Sequence, residues 1–139
     1  MKRDIRPLVA LATYAARPDL VEDDLPLASA LKERGMDCHA VPWDDTDFAW
    51  KDCDGVIIRS CWDYHLRPDQ FLEWVNRLET LRVPLWNPPP LIRWNARKNY
   101  LRELESRGIA VVPTTWIARG ASESLGSCLA NAGYDDAVV

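Results

Sequence analysis

Short apolar runs alternate with helix-like segments through most of this chain, and that alternation limits the fold more than any other feature. PLVALATY (7–14), DCHAVPW (37–43), DGVIIRS (54–60) and the brief VPLWN (83–87) read as strands. Between the first two, Asp24 can cap a helix with Pro26 in its first turn, Leu27, Ala30 and Leu31 as an apolar stripe, and Gly35 as its stop. Phe71, Trp74, Val75 and Leu78 mark the inner face of a second helix, whose first turn takes Pro68 and Asp69. A third carries Leu101 and Leu104 and closes at Gly108. Strand and helix in alternation imply a parallel sheet covered on both faces: an α/β, three-layer, doubly wound and mostly parallel Rossmann-like layer of about four strands. After Gly108 the rhythm changes. IAVVPTTWIA (109–118) reads as a strand pair or a strand broken at Pro113, SESLGSCLANAG (122–133) as a short helix, and YDDAVV (134–139) as the opening of a strand that stops. The expected division is an α/β domain over 1–112 and an incomplete α+β piece over 113–139, which reads as a fragment whose second domain is mostly missing.

With 139 residues, 47% hydrophobic and 27% charged, one domain with a real core is the default. A net charge of −4 gives no footing for nucleic acid or an anionic membrane surface, so neither is an expected partner. The four cysteines, Cys38, Cys53, Cys61 and Cys128, show no C-x-x-C or metal-ligand spacing and read as reduced, cytoplasmic thiols. No metal-binding residues are expected. MKRDIRPLVALATYAA imitates a secretory signal, but its apolar run is short and fits better as the first strand.

The stretch RSCWDYHLRP (59–68) concentrates chemistry on a strand-to-helix turn. Open parallel sheets bind ligands at the carboxyl ends of their strands, where loops vary and helix N-termini point inward. Arg59, Ser60, Trp62, Asp63 and Tyr64 fall at such an end, as do Thr13 and Tyr14, Trp43 to Asp45, and Trp86 with Asn87. Two readings stay open: an aromatic and polar rim around a small polar ligand, or tryptophans roofing a core beside helix-capping Asp and Asn. Arg59 is the stronger functional candidate, because a charge seldom sits unpaired after an apolar strand. His65 reads as a surface or hydrogen-bonded histidine. The loop ATYAARPDLVEDD (12–24) has no glycine to admit a pyrophosphate. Asp19, Glu22, Asp23 and Asp24 would repel phosphate, and suit an amine, a metal or helix capping.

RWNARKNYLREL (93–104) places Asn95 as N-cap with Arg97 and Lys98 in the first helical turn. Cations there oppose the helix dipole, by about 0.3–1 kcal/mol each, unless an anion sits between. A solvated lysine is the ordinary alternative. The N-x-x-K pattern, the helix ending at Gly108 and the following I-x-V-V-P-T resemble the junction leading into the ATP-grasp superfamily, in a glutathione synthetase-like form. VPWDD, VIIRSCWDYHLRPDQFLEW and LWNPPPLIRWNARKNYL extend the resemblance over most of the chain.

The resemblance implies a preATP-grasp domain over 1–112 and the beginning of the ATP-grasp domain over 113–139. The parent would be an ATP-dependent carboxylate-amine ligase that works through an acyl-phosphate with ATP and Mg2+. Lys98 would contact nucleotide phosphate; relatives differ by one position, which leaves the role between Arg97 and Lys98. Arg59 and Ser60, with Trp62, Asp63, Tyr64, Tyr14 and Asn87, would bind a small-molecule carboxylate or amine substrate by analogy of position. No catalytic residue falls within these 139 positions, so the piece alone is expected to be inactive. Homodimerisation is left open. A flavodoxin-like or receiver-like signalling module is the alternative, weakened because a receiver needs an acidic pair after the first strand and an aspartate ending the third. Here those places hold Thr13-Tyr14 and Arg59-Ser60. A stand-alone binder of an amino-acid-like ligand is a third reading.

Overall fold

The computed structural model describes residues 6–135. They divide into two units, the first ending at Tyr100 and the second beginning at Leu101. The first is a four-stranded, wholly parallel sheet in the order β2-β1-β3-β4. β1 (Leu8–Thr13) lies at its centre, with β2 (Asp37–Pro42) on one side and β3 (Gly55–Ile58) on the other, and β4 (Leu85–Trp86) forms the outer edge. The chain leaves β1 in one direction and returns to its opposite flank for β3, so the strand order reverses between β1 and β3. In such sheets that reversal opens a crevice at the carboxyl ends.

Alternation along β1 explains the two apolar layers, because successive side chains of a strand point to opposite faces. Val9 and Leu11 pack with Ala28, Leu27 and Leu31 of α1 (Leu25–Glu33) and with Ile57. Ala10 and Ala12 pack on the opposite face with Val56 and with Phe71, Trp74, Val75 and Leu78 of α2 (Pro68–Thr80), and with Ile92 of α3 (Pro89–Asn95). Helices therefore cover both faces, as the alternation predicts. The second layer is aromatic: the Trp43 ring meets Phe71 edge-on at 5.4 Å and Trp50 meets Trp74 at 5.2 Å, spacings at which ring quadrupoles attract. Gly55 is fixed by packing, since a Cβ there would overlap the Trp86 indole.

One expectation needs correction here. Asn95 is the last residue of α3 and not an N-cap: Arg97 and Lys98 sit in the connection that follows, and α4 (Tyr100–Ser106) starts after them. Pro88 is the N-cap of α3, and Pro89 and Pro90 take its first helical positions, where proline forfeits no hydrogen bond.

In the second unit, residues 109–118 form no strand. Pro113 has no N–H to give a ladder, and apolar residues make a strand only when another strand takes up their backbone groups. α5 (Leu125–Ala132) is present as expected, with Ser124 Oγ accepting from Ser127 N at 3.1 Å and Gly133 in the left-handed region at its end. The strand expected in YDDAVV falls mainly on residues 136–139, outside the described residues.

Candidate functional site

Parallel register brings the strand ends to one edge: Thr13 lies beside Pro42, Ala12 beside Ile58, and Ile57 beside Trp86. Tyr14, Trp43, Arg59 and Asn87, each one residue beyond such an end, therefore share the carboxyl edge of the sheet. What they do there differs.

The β1–β3 crevice is organised by Asp24. This residue occupies the N-cap position of α1 but makes no capping hydrogen bond. Its carboxylate, 2% exposed, accepts instead from Arg59 Nε at 2.6 Å and from Ser60 Oγ at 2.6 Å. The backbone N–H groups of Arg59 and Ser60 both donate to the Ala12 carbonyl at 3.2 Å, which ties the start of the β3–α2 loop to β1. Both oxygens of the buried acid are thus used, as a buried charge requires. Arg59 is 39% exposed, and its two Nη groups make no hydrogen bond among the described residues. The sequence marks Asp24, one of four neighbouring acids, as a helix cap, and nothing in its spacing links it to Arg59.

Beside this group lies a cavity of about 630 Å³, walled by residues 16–23 of the β1–α1 loop and by Trp62 of the β3–α2 loop. Trp62 is half exposed and its ring is tilted against Tyr14 at 6.0 Å. Arg17, Asp19, Glu22 and Asp23 contribute charge, so the wall is acidic by two. Arg59 is not part of this wall. It joins it through Asp24, the residue after Asp23.

Other candidates have structural partners. Asp63 accepts from Trp43 Nε1 at 2.8 Å and from Arg67 Nη2 at 2.6 Å. Burial alone would push its carboxyl up, but these hydrogen bonds outweigh it and hold the group below the usual carboxylate range. Arg67 also bonds Asp44 Oδ2 at 2.9 Å and lies over the Trp43 ring at 4.8 Å. Trp43 is buried, so that tryptophan roofs the core. Tyr64 packs on Phe71 at 5.3 Å. His65 is exposed, with Nδ1 2.8 Å from the Trp62 carbonyl oxygen. Burial, reinforced by Asp63, raises the Cys61 thiol far above its ordinary value, which leaves it an inert core group.

Asn87 is exposed and is not linked to the Asp24 group by any hydrogen bond among the described residues. Arg97 is exposed and pairs with Asp69, in the first turn of α2, at 2.8 Å. Lys98 Nζ lies 5.9 Å from the Tyr100 ring centre. Among the described residues, no group of three or more His, Cys, Asp or Glu is placed to hold a metal ion, and no helix is long and apolar enough to cross a membrane.

Comparison with known proteins gives one consistent neighbourhood. Residues 9–87 match the family described as D-cycloserine synthetase DcsG, N-terminal domain. The cycloserine biosynthesis protein DcsG of Streptomyces lavendulae is 33% identical over 113 residues, covering 81% of this chain and 38% of that protein. The crystal structure of D-cycloserine synthetase DcsG superposes with a TM-score of 0.71 at 32% identity, over 82% of this chain and 38% of that one. The chain therefore spans about two fifths of the length of these relatives.

Proposed function

This chain belongs to the DcsG N-terminal domain family, and from that premise we propose that it is the substrate-binding amino-terminal part of an ATP-dependent ligase joining a small carboxylate to an amine. In this reading residues 1–112 are the preATP-grasp domain and 113–139 begin the ATP-grasp domain. The supporting relatives carry synthetase and biosynthesis names, and the motifs around Arg59 and Lys98 carry the ATP-grasp resemblance.

The observation that carries the reading is the uncommitted pair of Nη groups on Arg59, held at the strand-order reversal by a fully engaged Asp24. A guanidinium fixed at Nε, with both Nη groups available, fits the planar geometry of a carboxylate. The adjoining acidic wall suits the ammonium end of the same or a second substrate. Ser60 has its hydroxyl committed to Asp24 and acts by positioning, while Trp62 and Tyr14 give the crevice an aromatic side. Asp63 and Tyr64 shape the loop that presents Arg59 and Trp62, and Asn87 marks the far end of the same edge.

Bound ATP would supply the phosphoryl group that activates the carboxylate. Arg97 and Lys98, two adjacent cations in the α3–α4 connection, are the groups here suited to hold phosphate.

The test uses the full-length protein. Arg59→Lys, which keeps a cation for Asp24, should lower substrate-dependent ATP turnover about 10- to 100-fold, the worth of a charge-assisted hydrogen-bond pair of ~1.5–3 kcal/mol. The affinity for Mg-ATP by titration calorimetry should stay unchanged. Lys98→Ala should do the reverse and weaken Mg-ATP. Unaltered turnover in Arg59→Lys would remove Arg59 from the substrate site, and absence of Mg-ATP binding by the unmodified protein would remove the ligase reading.

A further inference from the structure

The carboxyl end of β1 carries a buried hydroxyl where the strand pattern calls for an apolar side chain. Side chains along a strand alternate, so Val9, Leu11 and Thr13 point to the same face, the one covered by α1. Val9 and Leu11 are core residues there, and Thr13, 0% exposed, continues their line with a polar atom. A buried hydroxyl is tolerated when it is hydrogen-bonded. Thr13 Oγ1 donates to the Pro18 carbonyl at 3.0 Å, and that carbonyl accepts no backbone hydrogen bond among the described residues. Valine would fill the apolar layer as well, so what threonine adds is this one bond.

The bond falls at the root of the β1–α1 loop. The chain turns at 14–17, where Arg17 N–H donates to the Tyr14 carbonyl at 2.9 Å, and the next residue, Pro18, is drawn back to the end of β1. Residues 16–23 then wall the cavity of about 630 Å³ that they share with Trp62. At the far end of the loop Asp24 is held by Arg59 and Ser60. Two buried polar side chains thus tie the loop to the sheet, one at each end. Leu20 adds apolar contact with the Val9–Leu11 layer, which is non-directional and sets no register. Among the described residues the loop's other backbone hydrogen bonds are internal, such as that from Asp24 N–H to the Val21 carbonyl at 2.9 Å.

We propose that Thr13 is a positioning residue of the crevice: its hydroxyl draws Pro18 back onto β1 and thereby fixes the separation between the loop wall and Trp62. Thr13 is buried away from the cavity and acts through the loop. That the separation matters for turnover rests on the ligase reading; the anchoring of the loop does not.

The full chain, labelled with 15N-tryptophan and free of any ligand, tests the anchoring. The Trp62 indole signal is assigned from its loss in Trp62→Phe, a change at a half-exposed side chain. Thr13→Val keeps the branched shape and removes the hydroxyl; should it fail to fold, Thr13→Cys, whose thiol donates only weakly, takes its place. The variant should move the Trp62 signal and raise hydrogen exchange at the Arg17 and Asp24 amides at least tenfold, while the signals of the buried Trp43 and Trp50 stay in place. Thr13→Ser, which keeps the hydroxyl, should restore the unmodified pattern. An unmoved Trp62 signal with unchanged exchange would overturn the proposal, as would a shift of all tryptophan signals together, which marks a core residue and not a loop anchor. In the full-length protein, the concentration of the carboxylate supporting half-maximal ATP turnover should rise about tenfold in Thr13→Val with the maximal rate within twofold, and an unchanged concentration would overturn the positioning role. A parent without Mg-ATP turnover would strike the ligase reading alone and leave the exchange result to decide.

Discussion

Two arginine–carboxylate networks stand at the carboxyl edge of one sheet and differ in what they leave unused. Around Asp24, the buried acid has both oxygens bonded and the spare capacity lies on the base, in the Nη groups of Arg59. Around Arg67, a single Nη2 serves both Asp44 and Asp63, and the spare capacity lies on the acid, at Asp44 Oδ1, beside an unpartnered indole donor. The first arrangement presents donors and so suits an anion. The second leaves one acceptor and one donor sealed from solvent and so presents nothing to a ligand. The residue types are nearly the same, and the difference comes from which partner the fold satisfies first.

The largest effect that would break this contrast is expected at Asp24. Removing the acid in Asp24→Ala leaves Ser60 buried without its acceptor and Arg59 without its anchor. Breaking a buried ion pair costs about 3–5 kcal/mol, and the partial exposure of Arg59 places the loss near the lower end, read as a fall in the urea midpoint. A loss under about 1 kcal/mol would mean that the network is ornamental and Asp24 merely a loop acid. Next comes Gly55→Ala, expected to cost about 1–3 kcal/mol because the added Cβ must displace the Trp86 ring. It tests whether β4 is fixed in place at the edge that carries Asn87.

The smallest effect sharpens the second network. Because the folded-state pKa of Asp63 is depressed, its contribution to stability is present above the unfolded value of about 3.9 and is lost as pH falls through the folded value. Stability of the unmodified chain should therefore drop more steeply below about pH 4 than that of Asp63→Asn, measured as urea midpoints across a pH series. Parallel curves would show that Trp43 and Arg67 do not favour the ionised form.

How much of this was legible in the sequence follows from the range of each interaction. The strands, α1, α2 and the two-sided core depend on periodicity within a dozen residues, and that periodicity is written plainly around Leu11, Leu31 and Phe71. The position of Arg59 and Tyr14 on one edge followed from parallel strands alone. The partner of Arg59 did not, since Asp24 lies 35 residues away among similar acids. The sequence leaves both Trp43 and Trp62 open between rim and core, and only the fold distinguishes the one buried under Arg67 from the one half open beside Tyr14. Asn95 misled because an Asn before a basic helix resembles a cap, whereas the prolines had already started α3. IAVVP misled because β-rich composition says nothing about a partner strand.

Asp24 holds Arg59 at the β1–β3 crevice. A double-mutant cycle of Asp24→Ala and Arg59→Ala by urea unfolding measures that link directly. The expected coupling is about 1–3 kcal/mol, as for residues sharing a partly buried charge-assisted bond. Strictly additive losses, within about 0.3 kcal/mol, would show that the two side chains do not act together and that the crevice has lost its anchor.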